Sequence, residues 1–268
     1  MNRRSESRLS DSDFRNQWIN EAAYYQSETR NFTPGCELDD WLSAENVFEQ
    51  TMLRRHTLHK FESELQHLHS QVTYMADLEL NQLVRVLQAL TEKNVEVANL
   101  VIAGDQAIDA CEVELDKQVL QILCLEHPVA NDLRVVLSTA KIGYELESIG
   151  NKLVEVAQVA VTLFGTESRV FDSETLDGVV MLGKRLEALL GNLMNALENR
   201  NLVDIETLRQ YFQDCQTIQQ ESIARLTQDI GMLPGVIDLL GMMKSFEACD
   251  EHCLDIAKYL NHMNKTLP

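Results

Sequence analysis

The sequence predicts an all-α protein: two tandem three-helix bundles preceded by a short helical hairpin. Three observations predict this. Apolar residues recur at steps of three and four over long stretches, the spacing of one helix face. Only 4 prolines and 11 glycines occur among 268 residues, too few for the tight turns of an all-β chain. Three long helical segments, a linker and three more suggest an internal duplication.

In chain order, residues 1–20 are polar with mixed charge and are expected to form a mobile tail. Residues 21–50 are expected to form a small helical hairpin. Pro34-Gly35 turns the chain, Asp39 or Asp40 caps the helix bearing Trp41, and Tyr24 or Tyr25 packs on Trp41. The first bundle is expected over 56–164. Its opening helix carries Phe61, Leu65, Leu68, Val72, Met75 and Leu78 as one apolar stripe. The second runs from Asn94 to Leu123, with Val101, Ile108, Val119 and Ile122, until His127-Pro128 breaks it. The third spans Val129 to Phe164. Gly165-Thr166-Glu167-Ser168 is the linker. The second bundle is expected over 169–268. Leu176, Val179, Leu182, Leu186, Leu189, Leu193 and Leu197 stripe its first helix; Asn199-Arg200-Asn201 ends it. The fifth helix covers Asp204–Asp229, and the sixth opens at Pro234, a residue suited to a first turn, and ends near His262. At an offset of 100 residues Leu146-Glu147 meets Phe246-Glu247, and Val156-Ala157 meets Ile256-Ala257.

The formal net charge is −19. Residues 1–61 hold 8 Lys/Arg against 10 Asp/Glu, and the remainder 15 against 32, so the acidity belongs to the bundles. Such a surface repels phosphate backbones and anionic lipid; nucleic-acid binding is not expected, and a partner should be a cation or a basic protein surface. A plain soluble acidic surface is the simpler reading. The most apolar stretch, Leu153–Phe164, is too short and too polar to span a bilayer, and Met1–Arg8 leads into no apolar signal segment. The six cysteines form no CxxC pair and read as reduced thiols. A cytoplasmic protein without membrane insertion is expected.

Three local patterns imitate functional motifs. Gly178–Lys184 spells most of a phosphate-binding loop, but Arg185 stands where Ser or Thr is needed, and the stretch lies within a leucine-striped helix. Glu64-Leu65-Gln66-His67 is a single Glu-x-x-His, where a di-iron bundle needs two. Cys249 and Cys253 share a helix face but lack two further zinc ligands; His252 points elsewhere.

The carboxylates are more informative. Asp105 and Asp109 are four apart, with Glu112 following, and Glu247 and Glu251 are four apart. Like charges at this spacing cost a helix about 0.2–0.5 kcal/mol, a sign that a bound multivalent cation reverses. Oxygen-only donors suit Mg²⁺, Mn²⁺, Ca²⁺ or ferric iron. A solvated acidic face is the alternative.

The sequence also resembles the PhoU family of phosphate-uptake regulators. Met75-Ala76-Asp77-Leu78 is similar to its Met-Gly-Gly-Leu turn, and Asp105-Gln106-Ala107-Ile108-Asp109 to its Asp-x-x-Ile-Asp opening. Pro128-Val129-Ala130-Asn131-Asp132-Leu133-Arg134 is similar to Pro-Val-Ala-x-Asp-Leu-Arg. Lys141-Ile142 and Glu145–Asn151 follow Lys-Ile-x-x-Asp-Leu-Glu-Arg-Ile-Gly-Asp. Phe246–His252 with Asp255-Ile256-Ala257 resembles a looser second copy; the likeness covers residues 58–262. It implies a non-enzymatic regulator of phosphate import and the phosphate-starvation response, acting between a phosphate ABC transporter ATPase and a sensor histidine kinase, often as a homodimer. It implies metal held by paired acidic motifs: Asp105 and Asp109 with Glu147 and Asn151 in half one, and Glu247 and Glu251 in half two. Asn151 and Lys152 depart from that pattern, as does Asp214-Cys215-Gln216-Thr217-Ile218, the best partner motif in half two. Glu147, Glu247 and Glu251 are the strongest candidate ligands, for a divalent cation or iron. Residues 22–45 resemble a separate small bacterial domain of unknown function. The other function classes that fit are a carboxylate-rich metal-binding protein and an accessory protein of a non-phosphate transporter.

Overall fold

The computed structural model describes residues 11–165, 173–228 and 234–265. Within them lie α1 (Asp11–Thr29), α2 (Glu37–Glu92), α3 (Val95–Leu125), α4 (Asn131–Phe164), α5 (Ser173–Glu198), α6 (Ile205–Gln228) and α7 (Pro234–Asn264). The fold is all-helical, and it divides after Ser63 into two compact units, with α2 running through the boundary.

The N-terminal unit is a helical hairpin, though not the one the aromatic residues suggest. α1 starts at Asp11, within the stretch expected to be a mobile tail, because Trp18 and Ile19 give it a face to bury. Ile19, Ala44 and Phe48 form the core, with Trp18, Ala22, Ala23, Trp41 and Met52 against it. Trp18 meets Phe48 with ring centroids 5.3 Å apart. Tyr24 and Tyr25 are exposed; Tyr24 meets Tyr25 edge-on and Phe32 at a tilt, not Trp41, since helical spacing puts both tyrosines off the face that carries Ile19. Asp39 and Asp40 also do not cap. The helix begins at Glu37, so both lie in its first turn, where Asp40 pairs with Arg30. Gly35, at φ 98, makes the turn that only glycine takes without strain, and Glu37 accepts from its N–H at 3.0 Å.

In the second unit the helix ends fall where the sequence punctuates. Asn94 caps α3, its Oδ1 accepting from the N–H groups of Glu96 (2.9 Å) and Val97 (3.2 Å). α3 stops at Leu125, ahead of Pro128. Asp204 serves α6 in the same way, accepting from Glu206 N–H at 3.0 Å and the Thr207 hydroxyl at 2.7 Å. The Asn261 side chain makes two 2.7 Å bonds to the Val203 backbone, which fastens the α5–α6 connection to α7. Of the expected linker only Gly165 lies within the described residues.

α4 and α7 pack along most of their length. Ser138 meets His262 (3.2 Å), Glu145 meets His252 (2.6 Å), Cys249 Sγ approaches the Ile149 carbonyl (3.9 Å), and Ser245 donates to Glu155 (3.0 Å). Numbers rise on one helix as they fall on the other, so the pair is antiparallel, and residues 100 apart meet at its centre. The buried positions obey the same offset. Ile142, Leu146, Ile149, Leu153, Val156, Ala157, Ala160 and Leu163 on α4 correspond to Met242, Phe246, Cys249, Cys253, Ile256, Ala257, Leu260 and Met263 on α7. The duplication is therefore real, and an approximate two-fold through the Ile149–Cys249 crossing relates the two three-helix bundles.

Candidate functional site

The candidate acidic residues flank that crossing. In half one α3 supplies Asp105 and Asp109 and α4 supplies Glu147, and the three face one another. Burial first, then Asp109 and Glu147, raise the Asp105 carboxyl above its ordinary value. Glu112 joins the same field: burial raises it, then Asp116, Glu147 and Asp109. Asn151, one turn beyond Glu147, donates its amide to Glu147 Oε1 at 2.6 Å. Lys152 is held by Glu155 at 2.6 Å, so its charge is spent there.

Glu79 was not among the expected site residues, yet it is the most unusual acid in the fold. It occupies a core position of α2, on the stripe Leu68, Val72, Met75, Glu79, Leu83, Val86, Leu90, and it is fully buried. Neither carboxylate oxygen has a hydrogen-bond partner. Burial, with Asp105 and Glu147 facing it, holds its carboxyl well above the usual carboxylate range. Gly150 makes room for it: a Cβ there would stand 2.7 Å from Glu79 Oε1. One turn along, buried Gln82 donates to the Val101 carbonyl at 3.1 Å, while its own Oε1 has no donor.

In half two Glu247 and Glu251 line a cavity of about 210 Å³ bounded by α5, α6 and α7. Gln219 donates to Glu247 at 3.1 Å. Asp214, the expected partner motif, is exposed and turned toward Arg185 (3.5 Å) and Gln210 (3.2 Å); Cys215 and Gln219 reach the cavity in its place. Asp250 occupies the position equivalent to Gly150. Burial pushes its carboxyl up to about 7, with Glu247 adding to the rise, while the Cys215 thiol and Arg185 oppose it. Acids are thus buried beside the crossing in both halves: Glu79 on α2 and Glu145 on α4 in one, Asp250 on α7 in the other.

Among the described residues no three His, Cys, Asp or Glu side chains are gathered closely enough to hold an ion as they stand. In donor type the residues fit a hard cation: carboxylate and amide oxygens, several without a donor. The three imitative motifs resolve into packing. Gly178–Lys184 is α5, where Gly183 lets Leu87 and Phe246 approach; His67 pairs with Gln118; Cys249 and Cys253 are fully buried thiols whose pKa burial raises.

Residues 72–160 match the family model described as the PhoU domain, and residues 15–49 match a protein family of unknown function, DUF2934. The phosphate-specific transport system accessory protein PhoU of Edwardsiella tarda is 26% identical over 214 residues, covering 78% of this chain and 86% of the relative. That of Escherichia coli K12 shows the same identity and coverage. Two crystal structures share the fold. PhoU from Pseudomonas aeruginosa superposes with TM-score 0.68 at 21% identity, over 76% of this chain and 98% of that one. The phosphate transport system regulatory protein PhoU from Streptococcus pneumoniae gives 0.64 at 22%, over 76% and 96%. The chain is thus similar to the PhoU family, through a PhoU-domain match over residues 72–160 and a shared fold.

Proposed function

We propose that this protein is a non-enzymatic regulator of phosphate transport and of the phosphate-starvation response. It acts in the cytoplasm, as a homodimer, by contact with the ATPase of a phosphate ABC transporter and with a sensor histidine kinase, and it holds the kinase off when phosphate is plentiful. The observation that carries the reading is the family match over residues 72–160, which includes Glu145–Asn151, together with relatives named as accessory proteins of phosphate-specific transport. The absence of a helix long and apolar enough to cross a membrane, among the described residues, is compatible with it. The test is binding of the purified chain to the kinase's cytoplasmic portion and to the transporter ATPase from the same genome. Saturable binding to both is expected; binding to neither rejects the mechanism.

The carboxylate pairs are proposed to hold a hard cation, Mg²⁺, Mn²⁺ or iron: Asp105, Asp109 and Glu147 in half one, Glu247 and Glu251 in half two. Such an ion supplies positive charge that offsets the repulsion within each pair. Metal should then raise the melting temperature by mass action, and E247Q/E251Q should diminish that rise. If Mg²⁺, Mn²⁺ and ferric iron all leave the parent's melting temperature unchanged, the pairs are a solvated acidic face.

A further inference from the structure

Three acceptor oxygens lie buried side by side on α2 without a donor: both of Glu79 and the amide oxygen of Gln82. Buried acceptors without donors are rare in folded proteins and call for an explanation. The groups around them deepen the problem. α3 presents Asp105, α4 presents Glu147, and α7 presents the thiol of Cys249. The basic side chain nearest along α4, Lys152, is taken by Glu155. A proton on Glu79 removes one charge and supplies one donor, but it leaves Asp105 and Glu147 still facing each other. One cation meets all of these demands at once.

We propose that Glu79 and Gln82 form the inner wall of a hard divalent cation site in the first bundle, closed from outside by Asp105 and Glu147. The proposal rests on the metal reading above and extends it to α2, which no paired acidic motif includes. Glu79 is the fixed member: α2 packing holds it, and the recess left by Gly150 receives its carboxylate. Asp105 and Glu147 are half-buried and must turn inward to complete the coordination. Gln82 is oriented for the task, since its amide nitrogen is committed to Val101 and its oxygen faces away from that bond. Half two has Leu186 and Leu189 on the corresponding stripe of α5, so the two sites differ in kind: a deep one in half one and a shallow one at Glu247 and Glu251.

The experiment uses the full chain stripped with EDTA and then titrated with MnCl₂, reading bound Mn²⁺ per chain by elemental analysis and affinity by calorimetry. The E79Q variant keeps the side chain's shape. It should lose one Mn²⁺ per chain or at least tenfold in the tighter affinity, and metal-free it should melt no lower than the parent. Q82L, which leaves every carboxylate in place, should weaken the same site by a smaller factor and guards against a folding defect in E79Q. E247Q/E251Q should leave the tighter site intact. Unchanged stoichiometry and affinity in both E79Q and Q82L overturn the proposal while the paired acids remain as ligands. No Mn²⁺ bound by the parent overturns the proposal and the metal reading together.

Discussion

Asp250 lends itself to a quantitative test. Its carboxyl sits at the bundle crossing with Oδ1 unpartnered, and its folded pKa is about 7. An unfolded Asp titrates near 3.9, so the native state favours the neutral acid. The sign follows: stability from this group is fully present below about pH 4 and is lost as pH rises through about 7. Linkage puts the cost of ionising Asp250 in the fold at about 1.5 kcal/mol at pH 5 and about 4 kcal/mol at pH 8. D250N keeps the shape and abolishes the titration. Relative to the parent, the variant should therefore gain about 2.5 kcal/mol more at pH 8 than at pH 5. Urea unfolding of both proteins at the two pH values, with EDTA present throughout, reads that difference directly. A gap between parent and variant that does not change with pH would refute the reasoning, because it would mean that Asp250 is ionised, and well solvated, throughout.

Other perturbations have equally definite outcomes. N94A removes the α3 cap, with its bonds of 2.9 and 3.2 Å, and should cost about 1 kcal/mol in urea unfolding. G150A drives a methyl group to 2.7 Å from Glu79 Oε1 and should destabilise by about 1–3 kcal/mol, less in an E79A background where the collision is gone. I19A empties the centre of the N-terminal hairpin and should cost that unit about 2–5 kcal/mol, seen as a shift in Trp18 and Trp41 emission; Y24A, at an exposed ring, should leave the emission unchanged.

The periodic parts of this fold were legible because long helices announce themselves. The ends at Asn94, Pro128, Asn199–Asn201 and Pro234 each have a local cause that acts within a few residues. The offset of 100 residues was visible in two short matches, and it became persuasive only when the burial of α4 repeated on α7. What stayed hidden depended on contacts between helices. Nothing local to Tyr24 and Tyr25 says which face of α1 Ile19 will bury, so local sequence points to the aromatic pair for a core that Ile19, Trp18 and Phe48 form instead. Glu79 was within reach: a Glu at the four-residue step after Met75 breaks an apolar stripe that resumes at Leu83. Ending that stripe at Leu78 concealed it. Asp214 drew attention by its motif, whereas Cys215 and Gln219 face the cavity, a choice made by the rotation of α6 about its own axis. The sequence could place acids on helices but not decide which of them share a space.

The measurement that bears most directly on the central claim is the output of a phosphate-starvation reporter, with phosphate uptake, in phosphate-replete cells of the native host lacking this gene. The account predicts that reporter output rises and that a plasmid copy of the gene returns it to the parental level. Reporter output and uptake both unchanged in the deletion strain would contradict it and leave a helical-bundle protein with another task.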